Sequence, residues 1–137
     1  MNSKVVYNLI AHYIEDKTTI LKKIKLLEKK RKKSSRILLH KNSESKFHIM
    51  LIRHEKNFHG DPFKYKNKKI KFFLLLKGNA KFIFYNNKGR IVKVTNFSKN
   101  KNMIILDESK YFYHQIIYSK SIIFFEITSG PFIKKQK

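Results

Sequence analysis

The sequence predicts a mainly β protein, in which helices at the N-terminus precede a sandwich or small barrel. Three observations lead to this fold class. Apolar residues follow helical spacing up to about residue 33, short apolar runs replace that spacing afterwards, and short polar turns separate the runs. The chain has 137 residues, which suits one domain with a hydrophobic core. We therefore predict a helical segment over residues 1–33 and a β barrel over residues 34–137.

Two apolar stripes at helical spacing define the N-terminal segment, one over residues 6–14 and one over residues 20–27. Asp16 lies between them with Thr18 and Thr19, and these residues favour a break followed by an N-cap. The second helix ends in the basic run KKRKK, residues 29–33. A basic last turn complements the helix dipole, and a phosphate-binding patch is the alternative interpretation.

Eight short apolar runs, rich in β-branched and aromatic residues, predict the strands. They are ILL (37–39), FHIMLI (47–52), IKFFLLL (70–76), KFIFY (81–85), RIVKV (90–94), NMIIL (102–106), YFYHQIIY (111–118) and SIIFFEI (121–127). The sequence NNKG at residues 86–89 predicts a hairpin turn, with the glycine where φ becomes positive.

The chain is strongly basic, with 32 Lys and Arg against 9 Asp and Glu and a formal net charge of +23. Such a charge favours an anionic partner, and nucleic acid is one candidate. Lys far outnumbers Arg, however, and Asn, Ile, Phe and Tyr are abundant, which is the composition that an AT-rich coding sequence produces. No zinc-finger, helix-turn-helix or RNP-like motif accompanies the charge.

Several classes of site are excluded by residue usage. There are no cysteines, so disulfides, thiolate metal sites and thiol catalysis are absent. No apolar run reaches the roughly 20 residues of a membrane-spanning helix, and the N-terminus lacks the pattern of a signal peptide. We therefore expect a cytoplasmic protein.

The order of the landmarks carries a resemblance to a known family. They are SSRILLHKN (34–42), FHIMLI (47–52), Pro62-x-Lys64, a strand ending in Gly78, FIFYNNKGRI (82–91), Tyr113-His114 and FFEITSGPF (124–132). This pattern resembles the WbuC family of cupin-fold metalloproteins, found among genes for bacterial surface-polysaccharide (O-antigen, lipopolysaccharide) biosynthesis. The resemblance implies a cupin double-stranded β-helix, a jelly-roll-like barrel, and makes a homodimer plausible.

The resemblance also implies where a metal would bind, and these positions are largely replaced. The family's His-x-His pair corresponds to Phe63 and Tyr65, its glutamate to Lys71 and its late histidine to His114. Only His114 keeps a ligand type, and an ammonium at position 71 repels a cation. We therefore expect no metal cofactor.

Rebuilding of the metal site from other histidines stays open as an alternative. His48, His54 and His59 lie on the strand and in the loop before Pro62. The simpler interpretation of each is an exposed histidine or one satisfied by its neighbours.

Without metal, the implied barrel mouth would be lined by Phe63, Tyr65, Lys71, Tyr113 and His114. This lining suits a sugar or sugar nucleotide, because a cation beside aromatic faces can hold an anion and a ring. The simpler alternative is structural, with Lys71 extending to water and Phe63 filling the vacated volume.

The few carboxylates predict little acid–base chemistry. Glu126 is expected to be structural and paired with a base such as Arg36 or Lys64, and Asp107 and Glu108 are expected in a turn.

Two alternatives to the binding role stay open. One is a metal-free sugar-nucleotide isomerase or epimerase, with His114 as base and Tyr65 or Tyr113 as acid. The other is a basic nucleic-acid-binding module.

Overall fold

The computed structural model describes residues 14–40, 44–58 and 70–129. One helix and eight strands are present in this part of the chain. They are α1 (Lys17–Glu28), β1 (Ser34–Leu38), β2 (Phe47–Glu55), β3 (Lys71–Lys77), β4 (Asn79–Tyr85), β5 (Ile91–Ser98), β6 (Ile104–Asp107), β7 (Phe112–Ile117) and β8 (Ser121–Ser129). Each of the eight apolar runs overlaps one strand, so the predicted mainly β fold class is confirmed.

The strands form two antiparallel sheets. One sheet has five strands in the order β1-β2-β8-β3-β6, and the other has three in the order β5-β4-β7. Because successive side chains of a strand point to opposite faces, each strand sends alternate residues between the sheets. In β3, for example, Lys71, Phe73 and Leu75 are buried while their neighbours are partly exposed.

Aromatic rings fill the space between the sheets. Phe73 and Phe124 come from the five-stranded sheet, and Phe82 and Phe97 come from the three-stranded sheet. The ring centroids of Phe73 and Phe82 lie 5.0 Å apart in an edge-to-face arrangement, as do those of Phe82 and Phe97. Such contacts add to the free energy gained by burying the rings.

Helix α1 covers the outer face of the five-stranded sheet. It begins where the sequence predicts, because Asp16 is the N-cap and its Oδ1 accepts a hydrogen bond of 2.7 Å from the Thr19 amide. Leu27 is its fully buried residue and packs with Leu51 and Ile123. The first predicted helix lies outside the described residues except for Ile14, and the boundary at residue 34 stays a prediction.

Gly78 alone connects β3 of one sheet to β4 of the other. Its φ is +98°, a conformation that favours glycine. A Cβ at this position would lie 2.4 Å from the Ser121 carbonyl oxygen. The glycine therefore permits both the change of sheet and the close approach of β8.

The predicted hairpin turn joins β4 to β5. Gly89 has a φ of +77°, and its amide donates to the Asn86 carbonyl at 3.0 Å. None of the described helices is long and apolar enough to cross a lipid bilayer.

Candidate functional site

Four buried polar side chains form a row across the inner face of the five-stranded sheet. His48 of β2 pairs with Thr128 of β8, Thr128 pairs with Lys71 of β3, and Lys71 pairs with Asp107 of β6. Their exposed fractions are 4%, 2%, 1% and 6%, respectively. We call these four residues the polar row. Since buried polar groups are costly unless paired, this end of the barrel is the candidate site.

The ammonium of Lys71 is held by two oxygen atoms. Its Nζ lies 3.1 Å from Oδ2 of Asp107 and donates a hydrogen bond of 3.0 Å to the Ser109 carbonyl. Asp107 is itself oriented, because its Oδ1 accepts a hydrogen bond of 2.8 Å from the Ser109 amide. Lysine has three N–H donors, and among the described residues only the donor bonded to the Ser109 carbonyl has a hydrogen-bond partner.

Two expectations about this pair were wrong. Lys71 does not extend to water, because it lies on the same face of β3 as the core residue Phe73. Asp107 is not in a turn, because it is the last residue of β6 and lies directly opposite Lys71. A lysine at an inward position is stable here because the neighbouring strand supplies the compensating charge.

A second polar contact lies one layer deeper in the barrel. Tyr113 of β7 reaches across from the three-stranded sheet, and its hydroxyl donates a hydrogen bond of 3.3 Å to Oε1 of Glu126. Glu126 lies between Met50 and Phe73 in the opposite sheet and is 3% exposed. The expected pairing of Glu126 with Arg36 was wrong, since Arg36 is exposed and contacts Met50 Sδ at 4.0 Å instead. Lys64 lies outside the described residues.

His114 does not face the polar row. It lies opposite Ile83 of β4 and points to the other side of β7 from Tyr113, which is in the core. Because β-strand side chains alternate, Tyr113 and His114 point to opposite faces of β7. The prediction grouped His114 with Lys71 and Tyr113, whereas the structure places the His114 side chain on the opposite face of β7 from Tyr113. Phe63 and Tyr65 lie outside the described residues.

The described histidines do not rebuild a metal centre. His48 stacks on His40 with ring centroids 4.2 Å apart, whereas His54 lies six residues further along β2, roughly 20 Å away. Over residues 14–40, 44–58 and 70–129, no three His, Asp or Glu side chains are grouped as metal ligands. His59 lies outside these ranges. The described donors therefore do not fit a divalent metal, and Lys71 places a positive charge among them.

His54 is half-buried near the opposite end of β2 from His48. Its Nδ1 lies 2.7 Å from the Gln115 side-chain oxygen, and its ring stacks on Phe58 with centroids 4.1 Å apart. Burial lowers the pKa of His54 to about 4, although the hydrogen bond to Gln115 opposes this shift and the Arg36 charge adds to it. The imidazole is therefore neutral near pH 7.

Two members of the polar row, Thr128 and Asp107, were not among the predicted site residues. Thr128 lies two residues after Glu126 in β8, so the strand period places both side chains on the inner face. Asp107 directly follows the apolar run NMIIL, but its partner depends on the pairing of β3 with β6, which no local pattern reveals.

Comparison of the whole chain with solved structures identifies the architecture. TT1209 from Thermus thermophilus has a TM-score of 0.60 and 11% sequence identity, covering 86% of this chain and 97% of that chain. The cupin domain of Cnp3 from Schizosaccharomyces pombe has a TM-score of 0.58 and 12% identity, covering 75% and 66%. The chain has the cupin fold. Rru_A2000 from Rhodospirillum rubrum, a cupin-2 domain, agrees at a TM-score of 0.57 and 10% identity, covering 76% of this chain and 64% of that one.

The cupin fold accounts for the two facing sheets. No protein-family profile and no curated protein matches the chain. At these sequence identities the neighbours show the fold alone, so the function has to be argued from the residues of this barrel.

Proposed function

We propose that this chain is a cupin-fold protein that works without a divalent metal and binds a sugar or sugar nucleotide at the polar end of its barrel. The observation that carries the proposal is the buried Lys71–Asp107 pair. At a position where the WbuC resemblance implies a carboxylate ligand, the barrel holds an ammonium with its own counter-ion. A fixed side-chain cation takes the place that a metal ion would need.

The geometry favours a polar, hydroxyl-bearing ligand. Lys71 has N–H donors with no hydrogen-bond partner among the described residues, and Glu126 and Tyr113 provide an acceptor and a hydroxyl in the next layer. The rings of Phe73 and Phe82 pack beside Tyr113 in the buried core and hold its ring in place. A few fixed polar groups among apolar faces are typical of small-ligand sites.

The resemblance to WbuC proteins supports a place in bacterial surface-polysaccharide biosynthesis, where sugar nucleotides are common substrates. A homodimer and a cytoplasmic location belong to the same proposal. The isomerase or epimerase alternative has less support. Its base, His114, lies on the other side of β7 from its acid candidate Tyr113.

Elemental analysis of the purified protein tests the metal-independent part. We expect Zn, Fe, Ni and Mn at far less than one ion per chain, in protein prepared without chelator and supplied with each metal. Stoichiometric metal that is lost in His48→Ala or His114→Ala would contradict this part of the proposal.

Calorimetric titration tests the ligand. The probes are UDP-glucose, dTDP-glucose and free glucose. Each probe is titrated into the wild-type protein and into the Tyr113→Phe variant. We expect at least one probe to bind, and Tyr113→Phe to weaken binding about 10-fold because its hydroxyl orients Glu126. Tyr85→Phe is the matched control, since Tyr85 lies on the outward face of β4 and should leave affinity unchanged. Equal binding by both variants, or binding of no probe, would overturn the sugar-binding role.

A further inference from the structure

A groove runs along strand β7, which is an edge strand of the three-stranded sheet. It has a volume of about 1140 Å³ and lies between the chain at residues 55–58, where β2 ends, and the chain at residues 114–120. Small-ligand pockets usually have volumes of roughly 300–1,000 Å³, so this groove is large and open enough for an extended chain. We call it the β7 groove.

Cations surround the β7 groove. Lys56 and Lys120 line it, both are exposed, and the Lys56 amide donates to the Lys120 carbonyl at 2.9 Å, which holds the two residues side by side. The one acidic residue among the described lining residues, Glu55, is paired with Arg53, whose guanidinium contacts its Oε1 at 3.0 Å. The groove therefore presents a net positive surface.

The basic run at residues 29–33 continues this surface. All five of these residues are exposed, and the run is anchored next to the groove. The Glu55 amide donates a hydrogen bond of 2.8 Å to the Lys33 carbonyl, and the Arg53 guanidinium donates one of 3.4 Å to the Lys30 carbonyl. A cationic track thus leads from the end of α1 to the end of the groove.

Two aromatic rings line the same groove. Tyr118 is 46% exposed, and Lys81 Nζ lies 5.8 Å from its ring centroid, so an exposed ring and a cation lie together. Phe58 also lines the groove and is half-buried, with its ring stacked on His54. Rings beside lysines match a ligand that alternates flat bases with negative charges.

Gln115 adds a hydrogen-bond donor of fixed direction. Its side-chain oxygen is bonded by His54 Nδ1, so its amide NH₂ group points away from that contact. The NH₂ group has no hydrogen-bond partner among the described residues, and Gln115 lines the groove. An amide held in this way can donate to the edge of a base.

We propose that the β7 groove binds single-stranded nucleic acid, with the lysines along the phosphates and Tyr118 stacked on a base. Binding to a purely electrostatic partner, such as an anionic membrane surface, would not require a concave lining with aromatic rings. None of the residues of the polar row lines this groove, so the proposal is independent of the sugar-binding role.

Fluorescence anisotropy with labelled oligo-dT and oligo-U of about 12 nucleotides tests the proposal, since single-strand sites commonly span about 4–16 nucleotides. We expect log-affinity to fall linearly with log-salt. The Lys56→Gln/Lys120→Gln variant should reduce the magnitude of that slope by about 1.4, because each phosphate contact on a single strand contributes about 0.7. The variant Lys88→Gln/Arg90→Gln is the matched control, since it removes two exposed charges at the distant β4–β5 turn and should leave the slope unchanged.

Tyr118→Leu separates stacking from charge. It keeps every lysine, so loss of the stacked ring should weaken oligonucleotide binding about 5-fold or more with the salt slope unchanged. Circular dichroism and thermal melting confirm that the exposed substitutions leave the fold intact. Equal losses in the Lys56→Gln/Lys120→Gln and control variants would overturn the proposal, as would wild-type affinity in Tyr118→Leu. Binding to phosphatidylserine vesicles without binding to either oligonucleotide would also overturn it.

Discussion

Lys71 and Asp107 face each other across β3 and β6, with Nζ 3.1 Å from Oδ2 and exposed fractions of 1% and 6% for the two side chains. No hydrogen bond of good geometry reaches Oδ2, so the contact is an ion pair held mainly by charge. Each charge has lost its water, and each depends on the other for compensation. The pair therefore fixes the register of β6 against β3 at the polar end of the barrel.

Removal of one charge from this pair should strongly lower the stability of the fold. We expect Asp107→Asn to lower the free energy of unfolding by about 3–5 kcal/mol, because Lys71 would be left buried and uncompensated. Glu108→Gln is the control, since the neighbouring carboxylate is exposed and its loss should change stability by no more than about 0.5 kcal/mol. Urea unfolding at pH 7 measures both.

The double variant Lys71→Met/Asp107→Leu completes this prediction. It removes both charges and keeps the volume, so it should recover most of the stability lost in Asp107→Asn. A loss in Asp107→Asn as small as that in Glu108→Gln would show that water reaches Lys71.

Substitution of Gly78 should also be costly. Gly78→Ala places a Cβ 2.4 Å from the Ser121 carbonyl oxygen while φ is +98°, so strain and a backbone clash act together. We expect a loss of more than about 3 kcal/mol in the free energy of unfolding. Gly89→Ala is a matched control, because its φ is +77° but no atom lies within 4 Å of the added Cβ.

The control variant should lose only about 1 kcal/mol, the usual cost of a left-handed backbone for alanine. Similar losses for the two glycines would mean that β8 can move away from residue 78. The comparison thereby measures how rigidly the two sheets are joined at this turn.

The strands were predictable because apolar runs and turn residues are local signals. The run IKFFLLL gave β3, and NNKG gave the β4–β5 turn with Gly89 at positive φ. These signals predicted only a sandwich or small barrel; the cupin architecture was implied by the resemblance to the WbuC family, and the similarity to solved cupin domains supports that architecture. Local hydrophobicity and turn residues were thus sufficient to predict the strands.

The site was less predictable because it depends on which face of a strand a residue occupies and on which strands pair. The alignment of landmarks assigned His114 to the pocket, but the neighbouring Tyr113 is the inward residue of β7. Asp107 lies 36 positions after Lys71 in the chain, and only the β3–β6 pairing brings them together. Motif order gives neither the face nor the partner.

The stability of the fold should depend on pH through His54. The pKa of His54 is about 4 in the folded state, against 6.5 for a histidine exposed in the unfolded chain. Between these values the unfolded chain binds a proton that the folded chain does not. Stability is therefore highest above pH 6.5 and falls as the pH drops towards 4, with a total contribution of about 3 kcal/mol.

His54→Gln removes the titrating group and keeps an amide near Gln115. Urea unfolding at a series of pH values should show a shallower decline for this variant than for the wild type between pH 6.5 and 4. The carboxylates titrate in both proteins, so the difference between the curves isolates His54. Curves that run parallel would show that His54 is solvated.

The contact between α1 and the barrel predicts that the helix belongs to the same folding unit. Leu27 is fully buried against Leu51 and Ile123, so Leu27→Ala should lower the free energy of unfolding by about 2–5 kcal/mol. Leu26→Ala is the matched control on the same helix, because Leu26 is 53% exposed and its loss should change stability by about 0.5 kcal/mol or less. Helical and β signals should melt together in the wild type. If Leu27→Ala is as mild as Leu26→Ala, or if the helical signal melts first, residues 1–33 form a segment that the barrel does not need.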